Sequence, residues 1–476
     1  MKRKLLAIAA LAAISHAPAS LATNWFELQN TEAPGAPAYT IWGFIQPQFQ
    51  HNTGGTVNNL AGQPGITKYN GQVPAFNLVG PDLTSKDQAQ IFRARPGVRG
   101  AVADGHIDYF LLAELGNNGI TENGFSNGAY NKRTAVLSDA TVTFNYIPGA
   151  RVRVGLGRLP LGEEAMLGEP AMDYINFTGV TDGLLNERFL APTHLAQTQM
   201  AYLPGEVMNG GLSQSAALTG SVGAFRDTGV EVFDWFNQDK WEYAYALMVS
   251  QADGLNLDTA NNPGNHDVTG RLQASYVFGG SGPKRRDITA FVWHQDGQRH
   301  FNGINYDRMR EGIGAKYWDG KLRVSGEYIQ GTGMIYVGPY PGFGSNYVPG
   351  AFVITQLMAM GSFNKANGYY LDTGWKFTDK IEGDLRYDYY DKLSNSAPDE
   401  RKNETWTVGG QYFYSKSTRF VLNYAYRKAT ANPGTSTQAA RVTGEPTGAP
   451  AVALQNAINA LATTGNVLSL QMTYLF

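Results

Sequence analysis

The sequence predicts an all-β protein, a transmembrane antiparallel β-barrel of about 16 strands. The first observation is composition: 56 of the 476 residues are glycine, 12% are aromatic and only 16% are charged, whereas an average globular chain has about 7% glycine and about 25% charged residues. The second is that apolar and polar side chains alternate in segments of about ten residues, the length of a tilted strand that crosses a bilayer. The third is that tight turns and long polar loops take alternate places between these segments. A closed barrel that spans a bilayer fits all three observations. It also leaves no unpaired strand edge in lipid.

The first 22 residues are predicted to be a secretory signal peptide. Lys2, Arg3 and Lys4 form a basic start, residues 5–14 form an apolar run, and residues 20–22 (Ser-Leu-Ala) have the small-x-small pattern of a cleavage site. The apolar run is too short to span a bilayer. We therefore expect an exported protein with a signal peptide at 1–22 and a barrel domain at 23–476.

Sixteen segments carry a pattern with a period of two. In the segment 240–251, for example, Trp241, Tyr243 and Tyr245 share one face and Glu242 lies on the other. The predicted strands are 39–50, 89–101, 104–116, 135–147, 150–158, 226–236, 240–251, 267–278, 286–296, 308–318, 320–331, 367–378, 380–391, 403–415, 417–429 and 465–476.

Short links are predicted at every second connection. They include Asp104-Gly105, Pro148-Gly149, Asp319-Gly320 and Thr378-Asp379, which are residue types that favour tight turns. Bacterial outer-membrane barrels have short periplasmic turns and long outer loops. Both chain termini are therefore predicted to be periplasmic.

The last predicted strand ends the chain at Phe476. Leu470, Met472, Tyr474 and Phe476 share one face, which we expect to contact lipid, whereas Gln471 is predicted to face water inside the barrel. A final strand that ends in phenylalanine resembles the assembly signal of outer-membrane barrels. A β-sandwich array, a propeller or a β-helix would instead show a constant repeat, which we do not find.

Several stretches resemble the phosphate-selective porin family, porins O and P. The hairpin formed by 137–149 and 151–164 carries the main resemblance, and 91–100, 226–230 and 385–390 are similar to further parts of that family. The resemblance implies a channel of sixteen strands in contact with outer-membrane lipid, usually a homotrimer, with a long third loop folded into the lumen.

A long loop is also visible between residues 159 and 225, although 197–203 could pass for a strand. Loops of this length are usually functional or disordered. The loop is too apolar for a solvated outer segment, which favours folding inward as a constriction over an outer cap. Its charged candidates for the constriction are Glu163, Glu164, Asp173, Glu187 and Arg188, and Glu169 and Asp182 add further charge.

The alternation also predicts which charges line the inside of the barrel. In the strand 89–101, Phe92, Ala94 and Val98 point outward, which sends a row of arginines inward. Rings of basic side chains favour anions in narrow pores, but the same groups could pair with acids across the strands. The candidates for lining the pore and binding anions are Arg93, Arg95, Arg99, Arg151, Arg153 and Arg419.

Composition also bears on the functional class. A net charge of −2 gives no reason to expect nucleic acid, and the absence of cysteine excludes disulfides and thiolate metal sites. The histidines are scattered, and no Ser-His set stands out, so we expect neither a metal, nor a cofactor, nor an enzyme. We predict a channel for passive diffusion of small hydrophilic solutes or ions with a weak preference for anions. The alternatives are a surface adhesion or scaffold barrel and an outer-membrane hydrolase.

Overall fold

The computed structural model of this chain describes residues 31–32, 35–56, 86–118, 121, 135–192, 201–203, 206–209, 217–221, 225–252, 254–255, 265–280, 285–301, 304–335, 344–348, 351–355, 363–395, 400–432, 458 and 461–476. The predicted signal peptide and the side chain of Arg188 lie outside the described residues.

Sixteen strands form one closed barrel, in which each strand pairs antiparallel with its neighbours along the chain. In chain order the strands are β1 (Thr40–Asn52), β2 (Asp87–Val102), β3 (Ile107–Glu114), β4 (Val136–Phe144), β5 (Arg151–Arg158), β6 (Arg226–Gln238), β7 (Trp241–Ser250), β8 (Asp267–Gly279), β9 (Arg286–Phe301), β10 (Ile304–Trp318), β11 (Leu322–Thr332), β12 (Lys365–Thr378), β13 (Ile381–Lys392), β14 (Arg401–Phe413), β15 (Thr418–Ala431) and β16 (Val467–Leu475). β16 pairs with β1 and closes the ring. The predicted fold class and strand number are confirmed.

Each predicted strand corresponds to one barrel strand, and the bounds differ most in the hairpin of β9 and β10. The ladder there continues to the pair Phe301 and Ile304, whereas the prediction ended at 296 and resumed at 308. Gln298 Nε2 donates to Asp307 Oδ1 at 2.7 Å across this part of the hairpin. The backbone pairing thus extends through a stretch of mainly polar residues, 297–300 with 305–308, in which the sequence shows no regular apolar alternation.

The long connection between β5 and β6 carries its own short strands. Ala201–Leu203 pairs with Glu206–Asn209, and Arg188–Pro192 pairs with Ala217–Ser221, and neither of these two-stranded sheets is part of the barrel sheet. The part of 197–203 that the structure describes is therefore not a barrel strand.

The two faces of the barrel wall differ in chemistry as the alternation predicts. Leu272 is 62% exposed, while its neighbours Arg271 and Gln273 are 1% and 5% exposed. A closed barrel has one outer and one inner surface, so the exposed apolar face is the outer one and the buried polar face is the inner one. Gln471 lies on the inner face as predicted, but it is only 4% exposed and donates to Gln48 Oε1 at 2.9 Å, so it is packed and not simply hydrated.

The C-terminal residue completes the junction between β16 and β1. Phe476 N donates to Gly43 O at 3.0 Å, and Gly43 N donates to Phe476 O at 2.9 Å. A Cβ atom on Gly43 would lie 2.6 Å from the Phe476 ring. A glycine is therefore needed in β1 where the terminal ring crosses it.

Exposed and partly exposed aromatic side chains form a belt near the short turns on one side of the barrel. Neighbouring rings lie 5.2 to 6.1 Å apart along the series Phe236, Tyr243, Trp241, Tyr276, Phe278 and Tyr317. Such belts mark the interface between the apolar band and the headgroups in membrane barrels. Among the helices that the structure describes, each is too short or too polar to cross a bilayer.

Candidate pore constriction

Residues 159–187, which follow β5, contain short helical turns and pack against the inner face of the barrel. The turns are Glu163–Met166, Glu169–Ala171 and Thr181–Leu185. Leu161, Val180 and Leu184 are at most 1% exposed, and they share one apolar cluster with Trp293 of β9 and Ile329 of β11. These apolar residues of the segment are thus buried against the wall.

A buried carboxylate on β11 holds the start of this segment. Glu327 Oε1 accepts from Trp293 Nε1 at 2.6 Å, and Glu327 Oε2 accepts from Tyr370 Oη and from the backbone N of Glu163, both at 3.0 Å. A Cβ atom on Gly162 would lie 2.4 Å from Glu327 Oε1. The backbone can approach the carboxylate this closely because residue 162 has no side chain.

Glu163 and Glu164 bind basic groups on opposite sides of the segment. Glu163 pairs with Lys316 of β10 at 2.8 Å and with Arg271 of β8 at 3.2 Å. Glu164 pairs with Arg386 of β13 at 3.1 Å. Burial raises the pKa of both carboxyls; Lys316 and Arg271 more than offset this and lower the pKa of Glu163, whereas burial dominates and the pKa of Glu164 is raised.

Glu169 lies in a group of four arginines from β2, β5 and β6. Its carboxylate pairs with Arg95 at 2.7 Å, with Arg158 at 2.5 Å and with Arg226 at 3.2 Å. Burial raises the pKa of Glu169, but Arg158, Arg95, Arg226 and Arg93 together hold it well below its ordinary value. We call this set, Glu169 with Arg93, Arg95, Arg158 and Arg226, the Glu169 cluster.

The middle of the segment is bound to the other side of the barrel. Asp173 pairs with Arg323 of β11 at 3.2 Å, and Arg323 also pairs with Asp384 of β13 at 2.7 Å. Arg419 of β15 donates to Pro170 O at 2.8 Å and to Met172 O at 2.7 Å. Residues 163–173 therefore contact inner side chains of strands from β2 to β15.

The end of the described inner segment is fixed by β10. Glu187 accepts from Arg308 Nη1 at 2.6 Å, and Arg310 Nε donates to Leu184 O at 3.3 Å. Glu187 has φ +50, in the left-handed region that non-glycine residues rarely adopt. The ion pair with Arg308 stabilises the chain at this strained position.

The predicted arginines all belong to the inner face, but they differ greatly in exposure. The side chain of Arg95 is 1% exposed and Arg93 is 6% exposed, whereas the side chain of Arg99 is 38% exposed and pairs with Glu32 at 3.3 Å. Arg151 pairs with Asp234 at 2.6 Å, Arg153 pairs with Glu231 at 2.9 Å, and Arg419 binds the carbonyls given above. These arginines thus bind acids or carbonyl oxygens of the protein itself. The sequence left such pairing open as the alternative to arginines that bind anions.

Sequence reasoning missed the partners that organise the segment. Arg158 and Arg226 flank the long loop at the ends of β5 and β6, and their pairing in register brings both to Glu169. Trp293 and Tyr370 are aromatic residues on the inner face, and their polar atoms bind Glu327. An aromatic residue on the polar face of a predicted strand is the one sequence signal for such a role.

Among the described residues, no group of three or more histidine, aspartate or glutamate side chains is placed to hold a metal ion.

Comparison with known proteins adds solved structures of similar architecture. No protein-family model and no curated protein sequence matches this chain. The chain is similar to an anion-selective porin from Comamonas acidovorans, with a TM-score of 0.47 and 14% identity over 92% of this chain and 99% of that one. It is also similar to Salmonella typhi OmpF in complex with daunomycin, with a TM-score of 0.45 and 12% identity over 92% and 97% of the two chains. For Acinetobacter baumannii OccAB1 the TM-score is 0.41, with 11% identity over 94% and 99%.

Proposed function

We propose that this protein is a porin of the Gram-negative outer membrane, a water-filled channel through which small hydrophilic solutes or ions diffuse. The observation that carries the proposal is the closed barrel of sixteen strands with an apolar outer face and a polar inner face. Helices and closed barrels are the structures that span a bilayer with every backbone group paired. The predicted signal peptide supports export to that membrane.

The segment 159–187 serves as the constriction in this proposal. Its contacts run from Glu169 on the β2, β5 and β6 side to Asp173 on the β11 and β13 side. A segment attached at both places crosses the interior and narrows it. Glu163, Glu164, Asp173 and Glu187 act in this proposal mainly as anchors, since each is paired with a base of the wall.

We expect a weak preference for anions, because the base is the more exposed member of two ion pairs inside the barrel. The side chains of Arg99 and Lys316 are 38% and 29% exposed, whereas their partners Glu32 and Glu163 are 8% and 15% exposed. A passing ion therefore meets more basic than acidic surface at these pairs. We also expect a homotrimer, as the resemblance to phosphate-selective porins implies.

Liposome swelling tests the proposal. Liposomes that contain the purified protein should swell in solutions of small sugars at rates that fall as the sugar becomes larger, because a narrowed aqueous pore selects by size. Liposomes that contain heat-denatured protein serve as the control. Equal permeability with native and denatured protein would contradict the proposed channel.

A further inference from the structure

The chain segment before β1 is placed against the inner face of the barrel. Thr31 is 6% exposed, and the side chain of Glu32 is 8% exposed. Both residues are thus buried although they lie nine and eight positions before the first strand. The residues that bury them belong to β2, β3 and β5.

The backbone of this segment first follows the edge of the barrel and then turns. Ala101 N donates to Pro37 O at 3.1 Å, and Tyr109 Oη donates to Ala38 O at 2.8 Å, so residues 37 and 38 lie beside β2 and β3. Gly35 has φ +81, a conformation that glycine adopts without strain. Glu32 and Thr31 lie beyond this turn.

Polar contacts attach these two residues to the inner face. Glu32 Oε1 pairs with Arg99 Nε at 3.3 Å, and Glu32 N donates to Asp108 Oδ2 at 3.3 Å. Arg153 Nη2 donates to Thr31 Oγ1, also at 3.3 Å. Arg99 and Asp108 flank the tight turn that joins β2 to β3, so the contacts lie at the end of the barrel where the turns are short.

We propose that residues 31–32 and 35–39 line the short-turn mouth of the barrel and that Glu32 is a specificity-determining residue, which offsets the charge of Arg99 at that mouth. This inference rests on the proposed channel function and assigns one determinant of its ion preference.

The local pairing explains why Glu32 matters more than its neighbours. Arg151 and Arg153 have Asp234 and Glu231 as partners within the wall itself. Asp108 accepts from Asn145 Nδ2 at 3.0 Å. Glu32 therefore supplies Arg99 with a carboxylate from outside the wall, and the side chain of Arg99 is more exposed than those of Arg95, Arg151 and Arg153.

Neutralising Glu32 should leave Arg99 to attract anions. We expect Glu32→Gln, which keeps the side-chain shape, to raise the anion-to-cation permeability ratio about two- to threefold at about 0.01 M salt, with less effect at high salt because of screening. The measurement is the reversal potential across a planar bilayer under a KCl gradient. The matched control is Asp379→Asn, which removes an acid from the short turn between β12 and β13, where the residue is exposed.

The outcomes separate this inference from the channel function. A shift toward the chloride potential in Glu32→Gln, with a clearly smaller one in Asp379→Asn, supports the proposal. Equal shifts, or no shift in Glu32→Gln, overturn it while the channel function stands. If the unmodified protein does not conduct, the channel function fails, and the assignment of Glu32 to ion preference fails with it.

The placement of the segment is tested without any current. The chain has no cysteine, so Thr31→Cys and Ala38→Cys each introduce a single thiol, one at a buried position and one at an exposed position. A bulky maleimide should label the folded Thr31→Cys variant at least about tenfold more slowly than the Ala38→Cys variant, and both at equal rates in denaturant. Equal labelling in the folded proteins would show that the segment does not enter the mouth.

Discussion

At the scale of single residues, the charge that matters most to the inner segment is that of Glu169. Four guanidinium groups from three strands surround one carboxylate, and two of these arginines, Arg95 and Arg226, also pair with Glu114 and Asp139. Removing one partner from a buried ion pair leaves an uncompensated charge, which costs about 3 to 5 kcal/mol. The Glu169 cluster therefore connects the segment to β2, β5 and β6 strongly.

We predict that Glu169→Gln lowers the free energy of unfolding by about 3 to 5 kcal/mol and makes residues 159–187 susceptible to protease. Urea denaturation in detergent micelles and limited proteolysis measure the two effects. Glu163, whose carboxylate is more exposed, provides the comparison. Glu163→Gln should lower the free energy of unfolding by less than Glu169→Gln does. Unchanged stability in Glu169→Gln would mean that water, and not the carboxylate, satisfies the arginines.

Glu169 and Glu164 should respond to pH in opposite directions. The pKa of Glu169 is held below its ordinary value near 4.5, so its contribution to stability is fully present above that pH and is lost as the pH falls through the folded pKa. The pKa of Glu164 is raised, so its contribution is largest below the ordinary value and declines as the pH rises through the folded pKa.

The corresponding measurement compares each glutamine variant with the native protein by urea denaturation from pH 7 to about pH 3.5. The stability advantage of the native protein over Glu164→Gln should grow as the pH falls. Its advantage over Glu169→Gln should shrink once the pH is below about 4.5. Parallel curves for the two variants would contradict the assigned environments.

At the scale of elements, the helical turn Glu163–Met166 depends on the approach of Gly162 to Glu327. We predict that Gly162→Val displaces this turn and increases current noise in single-channel recordings, because a side chain would overlap the carboxylate. Gly168→Val is the matched control: Gly168 also precedes a short helical turn with a negative φ, but its added Cβ would find its nearest neighbour at 3.9 Å. Equal noise in the two variants would show that the Glu327 contact does not hold the segment.

The final strand offers a test of register. Leu470 is 46% exposed on the outer face, opposite Phe49 of β1. An arginine at the bilayer midplane costs about 2 to 4 kcal/mol in a barrel, so Leu470→Arg should reduce assembly in the membrane, as measured by the yield of heat-modifiable barrel on gels. Leu470→Met should assemble normally, and normal assembly of Leu470→Arg would place this residue away from lipid.

The strands were predictable because the side chains of each one alternate between two environments, and that alternation is visible within a single stretch of sequence. The polar end of the β9–β10 hairpin was not predictable in this way, because the pair Gln298 and Asp307 carries no apolar signal. The arginines of β2 have partners such as Glu169 and Glu32, which are distant in sequence. Pairing of this kind follows from the closed barrel and cannot be read from local periodicity.

At the scale of the whole molecule, the inner surface is polar but largely neutralised by pairing, while the outer surface is apolar. The segment 159–187 is attached to opposite sides of the wall, and the segment before β1 contacts the mouth. In our account these features make a narrowed aqueous path with weak ion preference and no tight solute site.

Single-channel recording in planar bilayers tests whether this barrel holds a water-filled pore. We expect stepwise current increases whose size is linear in voltage and rises in proportion to KCl concentration, because ions cross in water without a saturable site. Insertion of folded protein without current steps, or a conductance that saturates at low salt, would contradict it.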